Sequence, residues 1–184
     1  MIEHLHGLPV QREHTSFRLT DDELSATTNN EYFTMINHIT KTSFLLKDSR
    51  LSRVKTFLDE RMKNYIENVV ELDDKFVMTQ SWSTLTKRGE SHHIHNHSNT
   101  IFSLVFYVSS EGEKSGNFVF DFQPSRLRER WDFSFKVKRY NTFNSSTWEY
   151  VVNTGDLIIF PAWMHHYTKE NITNKDRIVI GANY

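Results

Sequence analysis

Cysteine is absent from the 184 residues. Its absence excludes disulfides, thiolate nucleophiles and Cys-ligated zinc or iron–sulfur centres, so a metal here must be held by His, Asp or Glu. Proline and glycine are scarce, at 3 and 6, which excludes collagen-like, linker-rich or low-complexity organisation. No stretch approaches the roughly 18 apolar residues of a membrane span, and the opening MIEHLHGLPV carries no basic segment followed by a long apolar run. An excess of one charge is missing too. Lys and Arg number 22 against 23 Asp and Glu, for a formal net charge of −1, so the electrostatic footprint of a nucleic-acid or anionic-membrane binder is not there. These absences lead us to expect a cytoplasmic protein with no nucleic-acid partner and no membrane association.

What is present is a core. Aromatics are plentiful, with 14 Phe, 7 Tyr and 4 Trp, and the length suits one domain able to bury a core without staples. We expect a single domain over residues 1–184, mainly helical support over 1–72 and a strand core over 73–184. In LTDDELSA (19–26), Thr20 and Glu23 form a capping box with acidic residues in the first turn of a short helix. Residues 30–47 are ambiguous. From Ser49 the apolar positions Leu51, Val54, Leu58, Met62, Tyr65, Ile66 and Val69 advance by three and four, which predicts an amphipathic helix of about 20 residues with its apolar face in the core.

After Asp73 and Asp74 the period changes. FVMTQSW (76–82), IFSLVFYV (101–108), NFVFDF (117–122), FSFKVKRY (133–140), WEYVV (148–152), DLIIF (156–160) and RIVIGANY (177–184) are short and rich in β-branched or aromatic residues. Turn signals such as SEGEKSGN and NTGD separate them. The expected fold class is mainly β with N-terminal helices (α+β): a jelly roll with supporting helices packed on one sheet.

Ten histidines are present, four of them in SHHIHNHSN (91–99). In an extended segment side chains alternate, which would put His93, His95 and His97 on one face and turn His92 away. A second pair, His165 and His166, follows DLIIFPAWM. An H-x-H beside a strand plus a distal His after another strand is a pattern for metal. Imidazole suits iron, zinc, copper or nickel. With His93 as a fourth ligand, a closed structural zinc site is also open. Arg177, alone in an apolar strand, calls for an anion, either a bound carboxylate gripped in bidentate fashion or an ion pair with Asp156 or Glu170.

The H-x-H followed by IFSLVFYV, then GNFVF, the GDLIIFPAWMHH block and the closing R-I-V-I-x-x-N resemble the Fe(II)- and 2-oxoglutarate-dependent dioxygenases. The similarity is greatest to their prolyl-hydroxylase-like branch and its small microbial and phage-type members, and it covers roughly residues 76–184. The resemblance implies a double-stranded β-helix of cupin-like form, with Fe(II), 2-oxoglutarate as co-substrate and O2, and a hydroxylation that releases succinate and CO2. It implies His95 as the proximal and His166 as the distal metal ligand. Counting back six from Ser103, the family's carboxylate position falls on His97, a departure that makes the catalytic and metal set His95, His97 and His166. Asp121 is the alternative third ligand. By the same resemblance Arg177 would hold the distal carboxylate of 2-oxoglutarate with a hydrogen bond from Tyr107, and Asn183 and Gln80 would be weaker polar contacts. His165 stands where proline is often found and is given no role.

Two rival readings share these residues: a three-histidine cupin-like metal enzyme that does not use 2-oxoglutarate, and a non-catalytic metal-binding module, with zinc for instance. Substrate-reading residues are expected in 83–92, 109–116 and 123–147; the last contains Arg126, Arg128, Arg130 and Lys136, a set read as a solvated loop. A small molecule or a peptide fits, and a homodimer is compatible with the sequence.

Overall fold

Thr20 caps the first helix, as the sequence predicts. In the computed structural model, which describes residues 7–122, 136–142 and 144–184, its hydroxyl accepts from the Glu23 N–H and the Glu23 carboxylate accepts from the Thr20 N–H at 2.8 Å. This box opens helix α1 (Asp21–Thr28). Glu23 also accepts two bonds from Arg53, at 2.8 and 2.5 Å, which ties α1 to helix α2 (Ser52–Tyr65). A 3₁₀ turn (Ser49–Leu51) precedes α2 and a π-turn (Ile66–Val70) follows it, so the periodic segment 49–70 is helical throughout. Glu71, in the left-handed region at φ 58°, ends it.

Eleven strands are present among the described residues. The larger sheet runs β1 (Gln11–His14), β9 (Asp156–Pro161), β6 (Phe102–Ser109), β11 (Arg177–Asn183), β4 (Gln80–Thr86), β3 (His38–Thr40), β2 (Tyr32–Thr34). The smaller runs β5 (His92–His95), β10 (His166–Thr168), β7 (Phe118–Asp121), β8 (Thr147–Tyr150). Every strand pairing is antiparallel.

The two-residue alternation of the central strands divides the interior. Leu104 and Phe106 of β6, Leu157 and Ile159 of β9, and Ile180 and Ala182 of β11 pack with Val54, Phe57, Leu58, Met62 and Tyr65 of α2. The intervening Tyr107, Ile158 and Phe160, with Val105 and Val179 at the margin, meet Phe118 and Phe120 of the smaller sheet. Each Val, Leu, Ile, Met or Phe side chain among these contributes about 1.5–3 kcal/mol on burial. The helices thus support the larger sheet from behind, and the face toward the smaller sheet is left for the site.

The strands at 101–108, 117–122, 148–152, 156–160 and 177–184 form within a residue or two of their expected places. The expected strand at 76–82 is displaced to 80–86, because β11 offers partners only from Asn183, opposite Gln80, to Arg177, opposite Thr86. The expected strand at 133–140 lies partly outside the described residues, and its described part, 136–140, is not a strand. Residues 30–47 form the β2–β3 hairpin and a 3₁₀ turn. The segment before residue 72 thus supplies three short strands beside its helices. No helix among the described residues is long and apolar enough to cross a membrane.

Candidate active site

β5 and β10 lie side by side, with His95 opposite His166 and His92 opposite Thr168. Three steps along β5 therefore match two along β10, so β5 carries a bulge. The extra residue breaks the alternation: His92 and His95 both turn inward to one cavity, while His93 and Ile94 are exposed. The simple extended reading, with His93 beside His95 and His97 and His92 turned away, is corrected by this bulge. Nothing in the residue types of SHHIH announces it.

His97 follows the strand, and its backbone N–H donates to the Ala162 carbonyl at 2.9 Å, which fixes that segment against the end of β9. One nitrogen from each of His95, His97 and His166 lies within 4.8 Å of the others. The ring centroids of His95 and His166 are 4.3 Å apart, and each is 5.1 Å from that of His97. His166 Nδ1–H donates to the Met164 carbonyl at 2.9 Å and His95 Nδ1–H to the His93 carbonyl at 2.8 Å. A carbonyl can only accept, so both rings are held in the tautomer that leaves Nε2 with a lone pair.

Burial first, then the neighbouring imidazoles, pushes the His97 pKa down to about 4 and that of His166 well below the usual range. His95 is lowered by the same burial. The three rings are neutral at pH 7, the state a metal requires. Asp121, on β7 opposite Thr147, belongs to neither of the three-membered ligand groups among the described residues, and its N–H donates to the carbonyl of His165.

Arg177 opens β11 and is 1 % exposed. Its Nη1 donates to the carbonyls of Ser115, Gly116 (2.9 Å) and Lys169 (3.2 Å), and its Nη2 to Thr168 Oγ1 at 2.6 Å. All four acceptors are neutral, and among the described residues no carboxylate forms a salt bridge with it. Asp156 instead meets Arg12 at 3.2 Å and His14 at 2.6 Å, and Glu170 is exposed. Gly116 makes this cradle: at φ 86°, a Cβ there would lie 2.1 Å from the Lys169 oxygen and 2.5 Å from Arg177 Nη1.

One cavity runs from the imidazoles to Arg177, walled by Trp82, Thr84 and Thr86 of β4, Tyr107 of β6 and Gly181 of β11. Tyr107 is buried, and burial raises its pKa and keeps it a phenol. The structure therefore gathers His95, His97, His166, Arg177 and Tyr107 around one space. Asn183 lies elsewhere. Its Oδ1 accepts from Ser103 Oγ at 2.8 Å, its Nδ2 donates to Gln80 Oε1 at 2.9 Å, and both residues border an open cleft of about 440 Å³ that touches the cavity only at His97.

The sequence reading turns His92 away from the site and names neither Thr168 nor Trp82 as a site residue, yet all three line this cavity. Asn37 Nδ2 donates to His92 Nδ1 at 2.7 Å, and the His92 N–H donates to Thr168 Oγ1 at 3.1 Å. Burial brings the His92 pKa to about 3. Thr168 carried no signal, since its importance comes from a three-residue strand facing both His92 and Arg177.

With this geometry in place, comparison with known proteins gives a family. A search of curated proteins returns no match. Among solved structures, similar folds include HygX from Streptomyces hygroscopicus with nickel, 2-oxoglutarate and hygromycin B bound, at 12% identity and TM-score 0.64 over 95% of this chain and 82% of that one. An oxidoreductase of the 2OG-Fe(II) oxygenase family from Burkholderia pseudomallei matches at 10% identity and TM-score 0.61, over 86% of this chain and 73% of that one. The epimerase SnoN from nogalamycin biosynthesis matches at 12% identity and TM-score 0.66, over 95% and 77%. At such identities these likenesses show the fold, that of 2-oxoglutarate oxygenases. The model of the family described as "Putative 2OG-Fe(II) oxygenase" matches residues 80–183, a span that contains the three imidazoles and Arg177. The chain belongs to the 2OG-Fe(II) oxygenase family.

Proposed function

We propose that the protein is a hydroxylase of the prolyl-hydroxylase-like branch, in which His95, His97 and His166 hold Fe(II) and Arg177 holds 2-oxoglutarate. One observation carries this reading: three neutral imidazoles with nitrogens within 4.8 Å share a cavity with a buried guanidinium whose partners are all uncharged. Leaving a buried cation without an anion is costly, and a bound carboxylate would meet it. The residues fit the group. An all-imidazole set suits Fe(II) and leaves positions open for exogenous ligands, and neutral ligands leave the ion's full charge to be met by a dianionic acid.

Within this reading each side chain has a definite task. Nε2 of His95 and His166 are presented ready for a metal because the Met164 and His93 carbonyls fix the tautomers. Arg177 and Tyr107 would bind the distal carboxylate of 2-oxoglutarate from the far end of the cavity, with Thr168 and the Gly116 carbonyl fixing the guanidinium. Trp82 walls the cavity and keeps water from it. The bound iron supplies the redox chemistry by which O2 and 2-oxoglutarate yield succinate, CO2 and an oxidised substrate. The prime substrate, a small molecule or peptide segment, would enter by the open cleft where His97, Asn96, Gln80 and Asn183 stand.

The test is succinate release from 2-oxoglutarate by Fe(II)-loaded protein, slow without prime substrate, together with calorimetric binding of 2-oxoglutarate to Mn(II)-loaded protein. Arg177→Ala is expected to weaken 2-oxoglutarate binding by at least about 30-fold, the 2 kcal/mol or more of a lost buried charge pair, while metal content stays the same. Activity that is indifferent to both 2-oxoglutarate and Arg177 would instead establish a three-histidine enzyme of the cupin type.

A further inference from the structure

The bulge in β5 creates a second set of imidazoles. One nitrogen from each of His92, His93 and His95 also lies within 4.8 Å of the others, with ring centroids 5.0 Å (His92–His93), 4.5 Å (His92–His95) and 5.3 Å (His93–His95) apart. We propose that this outer set is a zinc site, and that zinc bound there takes His95 away from the inner set and switches the enzyme off. The inhibitory half of this proposal rests on the oxygenase reading above; the zinc site itself does not.

The two sets share one ligand, and His95 has a single nitrogen to give. Its Nδ1–H is committed to the His93 carbonyl, so only Nε2 remains, and one lone pair cannot serve two ions. Two dications so close would also repel. Occupation of the outer set therefore excludes a complete inner set. His92 offers Nε2, because Nδ1 is held by Asn37. Ligation through Nε2 places the proton on Nδ1, and a half-turn of the Asn37 amide meets it with the carbonyl oxygen at no change of shape. His93 is exposed, so its ring can close on the ion without disturbing the core, and the solvent side leaves a fourth position for water.

Three imidazoles and an open fourth position are a common tetrahedral zinc arrangement. The order of affinities for nitrogen ligands places zinc above Fe(II). The inner set, anchored by the buried His166, offers its ion a neighbouring acid on Arg177, whereas the outer set includes the exposed His93 and offers imidazole and water. The ion for the outer set is thus a late first-row dication, and three imidazoles with a water in the fourth position suit zinc.

Zinc alone is the probe, and two arms separate this proposal from the oxygenase reading. In the binding arm, metal-free His97→Ala protein, which lacks the inner set but keeps the outer, is titrated with Zn(II) by calorimetry; His166→Ala serves as a second background. One zinc per chain is expected, and adding His93→Ala is expected to weaken it at least tenfold in both. Equal affinity with and without His93 in both backgrounds would overturn the site. In the activity arm, Fe(II)-loaded wild type and His93→Ala are compared for succinate release as Zn(II) is added. The variant keeps the backbone carbonyl that holds His95, and at least tenfold more zinc is expected to be needed to halve its rate than to halve that of wild type, each relative to its own zinc-free rate. Inhibition at the same zinc concentration in both would overturn the switch and point to displacement of iron from the inner set. Absence of succinate from zinc-free wild type would instead defeat the oxygenase reading and leave the binding arm to decide the zinc site.

Discussion

Imidazoles in water are half protonated near neutrality, and those of this cavity are not. Burial holds His97 near 4 and His92 near 3, so between those values and about 6.5 the unfolded chain binds more protons than the folded one. Stability of the metal-free protein is therefore expected to fall as pH drops from about 6.5 toward 4; urea midpoints measured across that range check it, and a flat profile would contradict the burial argument. The same neutrality means that Mn(II) binding at pH 7 releases almost no protons. Calorimetry in buffers of different ionisation enthalpy reads this directly, and release of a proton per ligand would count against it. At this scale the sequence named side chains that the structure brings together: His95, His97 and His166 have nitrogens within 4.8 Å of one another, and Arg177 and Tyr107 line the same cavity. Asn183 was grouped with them by the family resemblance, yet its side chain is committed to Ser103 and Gln80.

At the scale of elements, what the sequence concealed was register. His92 faces inward because β5 carries one residue more than β10 can match, and a bulge depends on the partner strand rather than on the residues that form it. The short strands Gln11–His14, Tyr32–Thr34, His38–Thr40 and His166–Thr168 were unread for a related cause. Runs such as QREH and HYT show little apolar alternation and are extended only because a neighbour supplies hydrogen bonds. Two glycines carry the local geometry. Gly116→Ala drives a methyl into the Lys169 oxygen and Arg177 and is expected to weaken 2-oxoglutarate binding at least tenfold with little change in metal content. Gly181→Ala would place Cβ 2.5 Å from the Trp82 ring and push the indole toward the cavity, with the same readout. At α1, Glu23→Gln weakens both the capping box and the Arg53 pair, at a cost of about 1 kcal/mol near neutral pH. Arg53 holds the Glu23 pKa below its usual value, so this contribution is present above pH 4.5 and lost as pH falls through the lowered value. Chemical denaturation at pH 7 and pH 3 is expected to show the difference between wild type and variant shrinking in acid.

For the whole molecule, the division of labour between the faces of the larger sheet is what the sequence conveyed best. The three-and-four spacing over 49–70 and the alternation in IFSLVFYV, DLIIF and RIVIGANY place one set of side chains on the helices and the other toward the smaller sheet. Leu58→Ala, in the helix-side core, is expected to cost about 2–5 kcal/mol and to lower Tm by roughly 5–15 °C, with 2-oxoglutarate binding to the Mn(II)-loaded protein intact at 15 °C; differential scanning calorimetry beside that titration checks both. Distant segments bring three imidazole nitrogens within 4.8 Å of one another and set a guanidinium at the far end of the same cavity, an arrangement made for one ion and an acid bound beside it. The direct measurement is a crystal structure grown anaerobically with Mn(II) and 2-oxoglutarate. Mn(II) is expected on nitrogens of His95, His97 and His166, with the distal carboxylate of 2-oxoglutarate on Arg177. An ion held without one of these histidines, or a 2-oxoglutarate carboxylate bound away from Arg177, would contradict it.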